Sequence, residues 1–156
     1  MEDAGFLPRP VQPGGIPLLF GGHVEAVLKR AGELSDGFIE GTRVGPQEFA
    51  ERWARVREFA RDAGRDDRKL ESGKMFHVSV DDDPARARSR LEAHMRSMYG
   101  EAEDIDKRGV MGPPDECAAR LLAFKEAGVD TIMVGVPSLS IAHLERIAHE
   151  VVPLLD

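Results

Sequence analysis

The stretch Pro10–Ile39, PVQPGGIPLLFGGHVEAVLKRAGELSDGFI, decides how the rest of the chain is read. Proline and glycine crowd its start and the residues before it: Pro8, Pro10 and Pro13 with Gly5, Gly14 and Gly15. Proline fixes φ and removes a backbone donor, so residues 1–15 read as an irregular lead-in. Ile16-Pro17-Leu18-Leu19-Phe20 is a short apolar run suited to a buried strand, with Pro17 tolerable only near its beginning. Gly21-Gly22 ends the run. From Val24 to Leu34 the apolar residues Val24, Val27, Leu28, Ala31 and Leu34 recur at helical spacing, with Glu25, Lys29, Arg30 and Glu33 mostly facing away. Ser35-Asp36-Gly37 breaks that helix, and Phe38-Ile39 opens a second strand. Strand, helix, strand is the unit of a parallel sheet.

The pattern continues outward. Gly45-Pro46 opens a helix, with proline well placed in its first turn. Phe49, Trp53, Val56, Ala60 and Ala63 stripe it, and Gly64 suits its C-terminal cap. Met75–Val80 (MFHVSV) has strand character. Asp83-Pro84 caps and begins a helix bearing Ala87, Leu91, Met95 and Met98. Residues 100–112 read as a polar connection, and Pro113-Pro114-Asp115-Glu116 starts a helix striped by Cys117, Leu121 and Phe124. Thr131–Val136 is the clearest buried strand, and Ser140 caps a final helix carrying Ile141, Leu144, Ile147, Ala148 and Val151. The order is strand–helix four times over, with one extra helix before the last strand. Such alternation implies a parallel sheet with right-handed crossovers. Four units make either a small open sheet or half of an eight-stranded barrel, which needs roughly 250 residues. Periodicity does not choose between them.

The composition bounds the function. The chain has 156 residues, 42% hydrophobic and 31% charged, enough for one domain with a packed core and unlike a disordered chain. Asp plus Glu number 28 against 21 Lys plus Arg, a formal charge of -7, so no nucleic-acid partner is expected. No apolar run reaches the roughly 18 residues of a membrane span, and MEDAGFLPRP does not read as a signal peptide. The expected setting is cytoplasmic, without a membrane partner. The lone Cys117 suits it, since one cysteine forms neither an internal disulfide nor a cysteine-based zinc cluster.

The feature with most chemical content is Gly21-Gly22-His23, between a strand and a helix that begins near Val24. Glycine lets the backbone come close to a ligand, and the free N–H groups of a first helical turn attract an anion. A phosphate suits the amides of Gly21, Gly22, His23 and Val24, with His23 the histidine best placed to face it. The same residues equally suit a tight turn that merely needs glycine. Glu40, Thr42 and Arg43 follow the second strand on the ligand side of a parallel sheet, as pocket lining or as a surface loop. Asp36, at the opposite end of that strand, reads as a structural turn.

Elsewhere the bland readings prevail. His77 reads as a hydrogen-bonded histidine within a strand, and His94, His143 and His149 lie on helices. His143 and His149 are six apart, which is not the spacing of paired helical ligands. Asp81-Asp82-Asp83 lacks the pattern of a calcium loop and reads as a turn capping the next helix. Arg86, Arg88 and Arg90 read as a solvated helix face. No metal site is expected, and no serine, cysteine or lysine has the partner spacing of a nucleophile.

Taken in order, these residues resemble the luciferase-like monooxygenase superfamily of flavin- and deazaflavin-dependent enzymes. The likeness lies in Gly21-Gly22, Arg30-Ala31-Gly32 and Asp36-Gly37-Phe38. It continues through Ala63-Gly64-Arg65-Asp66, Gly112-Pro113-Pro114-Asp115-Glu116, Ala127-Gly128-Val129-Asp130, Glu145-Arg146 and Val152-Pro153. By that resemblance the chain is α/β, the C-terminal half of a TIM (β/α)8 barrel, strands five to eight with covering helices. Residues 1–156 then form a single partial domain, with residues 16–156 as the half-barrel. The resemblance implies an oxidoreductase or monooxygenase acting on a small organic substrate. It places the cofactor's phosphate on Gly21, Gly22 and His23, although barrels more often hold phosphate after strands seven and eight. The Pro–Gly-Gly–Asp-Gly pattern is frequent among F420-dependent members, which favours F420, with FMN as the alternative.

The family's usual catalytic side chains belong to its N-terminal half, so no catalytic residue is named here. The expected partner is a second copy of the chain, pairing its open strand edges in a homodimer, or a complementing N-terminal half-barrel. The alternative is a truncated or self-associating half-barrel without turnover, because a barrel cut in two leaves unpaired strand edges and an exposed inner face.

Overall fold

Glu71–Val80, the longest strand, organises the sheet. The computed structural model describes residues 10–100, 104–137 and 140–156, so Gly5 and Pro8 lie outside the described residues. In chain order the elements are β1 (Leu19–Gly21), α1 (Glu25–Leu34), β2 (Gly37–Glu40), α2 (Pro46–Asp62) and β3 (Glu71–Val80). There follow α3 (Pro84–Tyr99), α4 (Ile105–Arg108), β4 (Gly109–Gly112), α5 (Pro114–Glu126), β5 (Thr131–Gly135) and α6 (Ile141–Arg146).

Every strand pairing is parallel. β2 pairs with Glu71–Lys74 of β3, and β5 pairs with Gly73–His77. Both partners use Gly73 and Lys74, so they lie on opposite edges, and the order is β1-β2-β3-β5. Consecutive parallel strands with intervening helices match half of a (β/α)8 barrel. β4 adds a short ladder along His77–Val80.

Several boundaries differ from the sequence reading. β4 falls within the expected connection of residues 100–112, because two apolar residues between glycines carry no periodicity. The first strand starts at Leu19, with Ile16 and Leu18 exposed. β3 begins four residues before Met75, since Ser72 and Lys74 are buried with their polar groups satisfied. Ser72 Oγ donates to Gly128 O at 2.5 Å and lies 2.8 Å from an Asp130 carboxylate oxygen, which also accepts from Ser72 N. In the last helical segment Ile147 and Val151 are buried as expected, but Ile141 and Leu144 are exposed and His143 is buried. His143 Nε2 meets Val78 O at 3.2 Å.

Side chains alternate faces along a strand, and β3 divides the molecule accordingly. Phe76, Val78 and Val80 face a core filled by Leu28 and Ala31 of α1, Phe49, Trp53 and Val56 of α2, and Leu121 and Phe124 of α5. Each fully buried side chain of this size contributes roughly 1.5–3 kcal/mol. His77 and Ser79 face the other way, toward α3. There Leu91 and Met95 form a separate cluster with Ile105 and Met111. A Cβ added to Gly109 would stand 2.2 Å from Leu91 Cδ2, so α3 rests directly on the β4 backbone. Strand–helix alternation does not reveal which face a helix covers, and α3 covers the face opposite α1, α2 and α5.

β5, expected to be the clearest buried strand, is open: Met133 is 50% and Val134 38% exposed. Among the described residues β1 pairs only with β2, and β5 only with β3. No described helix is long and apolar enough to cross a membrane.

Candidate functional site

The C-terminal ends of β1 and β2 open on a cavity of about 560 Å3. Gly21, Gly22 and His23 line it from β1, and Glu40, Gly41, Thr42 and Arg43 from β2. Ile39 and Met75 supply an apolar wall from the strands, and Tyr99 reaches in from the end of α3.

The glycine turn has a steric cause of its own. Gly22 has φ +155°, and a Cβ there would lie 2.9 Å from Val27 Cγ1. A Cβ on Gly21 would lie 3.0 Å from Ile39 O. Val24 stands immediately before α1, is half exposed, and is not among the cavity-lining residues. Its side chain supplies no cap to α1. Among the described residues the first-turn N–H groups of α1 have no side-chain acceptor, an arrangement that suits an anion.

The charges around the cavity are unevenly committed. Arg52 Nη1 reaches Glu40 Oε2 at 2.6 Å, and its Nη2 reaches Glu48 Oε1 at 2.6 Å. Arg43 is exposed and forms no ion pair among the described residues. Gly41 is held at both ends of its backbone. Its N–H donates to Glu40 Oε1 at 3.0 Å, and its carbonyl accepts from Lys74 Nζ at 2.5 Å. Lys74 is fully buried, with Nζ 4.9 Å from the ring centroids of Phe76 and Phe124. The loop bearing Thr42 and Arg43 thus hangs from a buried carboxylate and a buried ammonium.

Burial pushes Lys74 down from 10.5 to about 8, against the pull of Glu40. The unfolded chain then binds the extra proton between those values, so this group makes folding more favourable as pH rises from about 8 to 10.5. Urea unfolding at pH 7.5 and 10 should show that rise, and Lys74→Met should abolish the rise. A slope unchanged by the substitution would mean that Lys74 is not its source.

Of the expected site residues, the structure brings Gly21, Gly22 and His23 together with Glu40, Thr42 and Arg43. Lys74 and Tyr99 escaped the sequence reading, Lys74 because that reading began the strand at Met75. Arg86 and Arg88 lie exposed on the solvated face expected of them, and Arg86 and the half-buried Arg90 also meet Asp81 at 2.7 Å each. With the Asp83 amide they hold that carboxyl well below the usual carboxylate range. Asp83 caps α3 through Ala85 N. Asp36 accepts from Leu18 N at 2.8 Å, the structural turn expected of it. Burial pushes the Cys117 thiol up to about 12, which leaves it no nucleophilic character near neutral pH.

Comparisons with known proteins agree with this architecture. A methylenetetrahydromethanopterin reductase of Methanolobus tindarius is 22% identical over 80% of this chain and 49% of its own length. An F420-dependent secondary alcohol dehydrogenase superposes with a TM-score of 0.82 at 22% identity, over 98% of this chain and 52% of that one. The oxygenating constituent of 3,6-diketocamphane monooxygenase from Pseudomonas putida, solved with FMN, superposes with a TM-score of 0.65 at 20% identity. That match covers 87% of this chain and 48% of the other. The chain spans about half the length of the relatives it matches. The family model described as luciferase-like monooxygenase matches residues 2–131, and the chain belongs to that family.

Proposed function

We propose that this chain is the cofactor-phosphate-binding half of an F420- or FMN-dependent oxidoreductase. The observation that carries the proposal is the convergence of Gly21-Gly22-His23 and Thr42-Arg43 on one cavity at the C-terminal ends of parallel strands. The donor set suits a phosphate: backbone amides, a hydroxyl and a guanidinium without a carboxylate partner among the described residues. Ile39 and Met75 offer apolar contact to the remainder of the cofactor. When bound, such a cofactor supplies hydride transfer or reacts with oxygen, and the protein supplies position and shielding. In this chain Arg43 neutralises charge, Thr42 donates, and Lys74 and Glu40 hold the loop that presents both. F420 is favoured over FMN on the glycine pattern of the sequence.

The test is cofactor affinity in variants of the turn, read by fluorescence anisotropy. Gly22→Val should weaken F420 or FMN binding at least about tenfold, since one lost charge-assisted hydrogen bond is worth roughly 1.5–3 kcal/mol. Arg43→Ala should weaken binding and flatten its salt dependence. A folded Gly22→Val protein with undiminished affinity would refute the phosphate assignment.

A further inference from the structure

On the face of β3 opposite the main core, three side chains form a hydrogen-bonded chain that ends in the cavity. His94 Nε2 lies 3.1 Å from His77 Nδ1, and His77 Nε2 lies 3.2 Å from Tyr99 Oη. The His77 ring is 1% exposed, and its centroid stands 4.9 Å from that of His94 and 5.9 Å from that of Tyr99. Gly135 of β5 makes room for the pair: a Cβ there would stand 3.0 Å from His77 Nδ1, the atom that meets His94. Tyr99 lines the cavity, and His94 is partly exposed. The chain therefore joins solvent to the cavity through a buried imidazole.

We propose that His94, His77 and Tyr99 form a proton relay that exchanges one proton with an oxygen or nitrogen of a ligand seated in the cavity. The proposal rests on reading that cavity as the cofactor site. In the donating direction Tyr99 Oη gives its proton to the ligand and receives the proton of His77 Nε2. His77 Nδ1 then takes the proton of His94 Nε2. With His94 starting doubly protonated, it ends neutral, His77 and Tyr99 end as neutral as they began, and one proton has moved. The reverse sequence stores on His94 a proton taken from the ligand. Tyr99 is the catalytic residue of this relay, and His77 and His94 act through it. The ligand class that fits is a small organic molecule with an alcohol, carbonyl or imine group, whose two-electron chemistry must also add or remove one proton.

Other charges face the chain. Arg108 stands 5.9 Å from the Tyr99 ring centroid. Arg90 of α3 reaches Ser79 Oγ and Val80 O beside His77 on β3. His23, Glu40, Arg43, Glu48 and Arg52 line the same cavity as Tyr99. Burial and the neighbouring His94 both hold His77 below its ordinary range.

Imidazole nitrogen NMR of the full chain between pH 5 and 9 tests the relay directly. His77 and His94 should titrate as a coupled pair, with His77 fixed as one tautomer. In His94→Gln, His77 should titrate in one step and at higher pH, because a repelling charge has gone. In Tyr99→Phe the fixed tautomer should be lost. Gly22→Val, aimed at the phosphate, should leave these ring titrations as in the wild type. Calorimetry of FMN and F420 binding, in two buffers of different ionisation enthalpy, supplies the second readout. Proton exchange on binding should fall in Tyr99→Phe and His94→Gln. Independent ring titrations, or proton exchange indifferent to both variants, would overturn the relay. A wild-type chain that binds neither cofactor would count against the phosphate reading, and the ring titrations alone would then decide the relay.

Discussion

Gly32→Val should lower the melting temperature by about 10 °C. Gly32 lies on α1 where that helix crosses α2. A Cβ there would stand 2.4 Å from Val56 O, 2.7 Å from Phe59 Cβ and 2.9 Å from Ala60 N. Two of these atoms are backbone, so no rotamer change relieves the contact and the helices must separate. Overpacking ordinarily costs about 1–3 kcal/mol, and a clash with backbone belongs at or above the top of that range. In a domain of this size each kcal/mol shifts the midpoint by roughly 2–4 °C. The effect spreads, because Arg65 closes the end of α1 by donating to Gly32 O at 2.5 Å and Ser35 O at 2.6 Å. Circular dichroism melts read the outcome. Gly41→Ala, where nothing lies within 4 Å, is the control and should move the midpoint by no more than about 2 °C. Equal melts for the two variants would mean that the close helix crossing is not as described.

The second large effect concerns association. The chain should self-associate at micromolar concentration, and Met133→Glu with Val134→Lys should return it toward a single chain of 17.1 kDa. Thr131–Val136 reads as the clearest buried strand in the sequence, yet Met133 and Val134 stand exposed beside an edge with no partner among the described residues. Open edges of this kind recruit further strands. A second copy or a complementing half-barrel would both cover it, and co-expression with an N-terminal half from a relative distinguishes them. Light scattering that finds a monodisperse single chain in the wild type would count against the prediction.

The exposed β5 also marks how far the fold was legible in the sequence. The apolar run Thr131–Val136 names a strand built to be covered, but no residue within it says by what. Helix positions were readable because amphipathic stripes such as Phe49, Trp53, Val56 and Ala60 meet one core. β4 was not, because its pairing comes from tertiary contact with His77–Val80. The glycine turn was legible as a backbone that comes close to something, and the first something is Val27. What local pattern did not show was convergence. Lys74 reaches from β3 to the Gly41 carbonyl at the end of the neighbouring β2, and Tyr99 enters the cavity because α3 lies on the face opposite α1, α2 and α5, which strand–helix alternation does not reveal. The family motifs Ala63-Gly64-Arg65-Asp66 and Ala127-Gly128-Val129-Asp130 carry structural work here: Arg65 closes α1, and Asp130 ties the start of β5 to Ser72.

The most direct measurement is a fluorescence anisotropy titration of the wild-type chain with F420 and with FMN, with inorganic phosphate as competitor. The account predicts saturable binding of at least one, tighter for F420 and reversed by phosphate. Binding that phosphate leaves untouched, or no binding of either cofactor, would contradict a phosphate site at Gly21-Gly22-His23 in this chain.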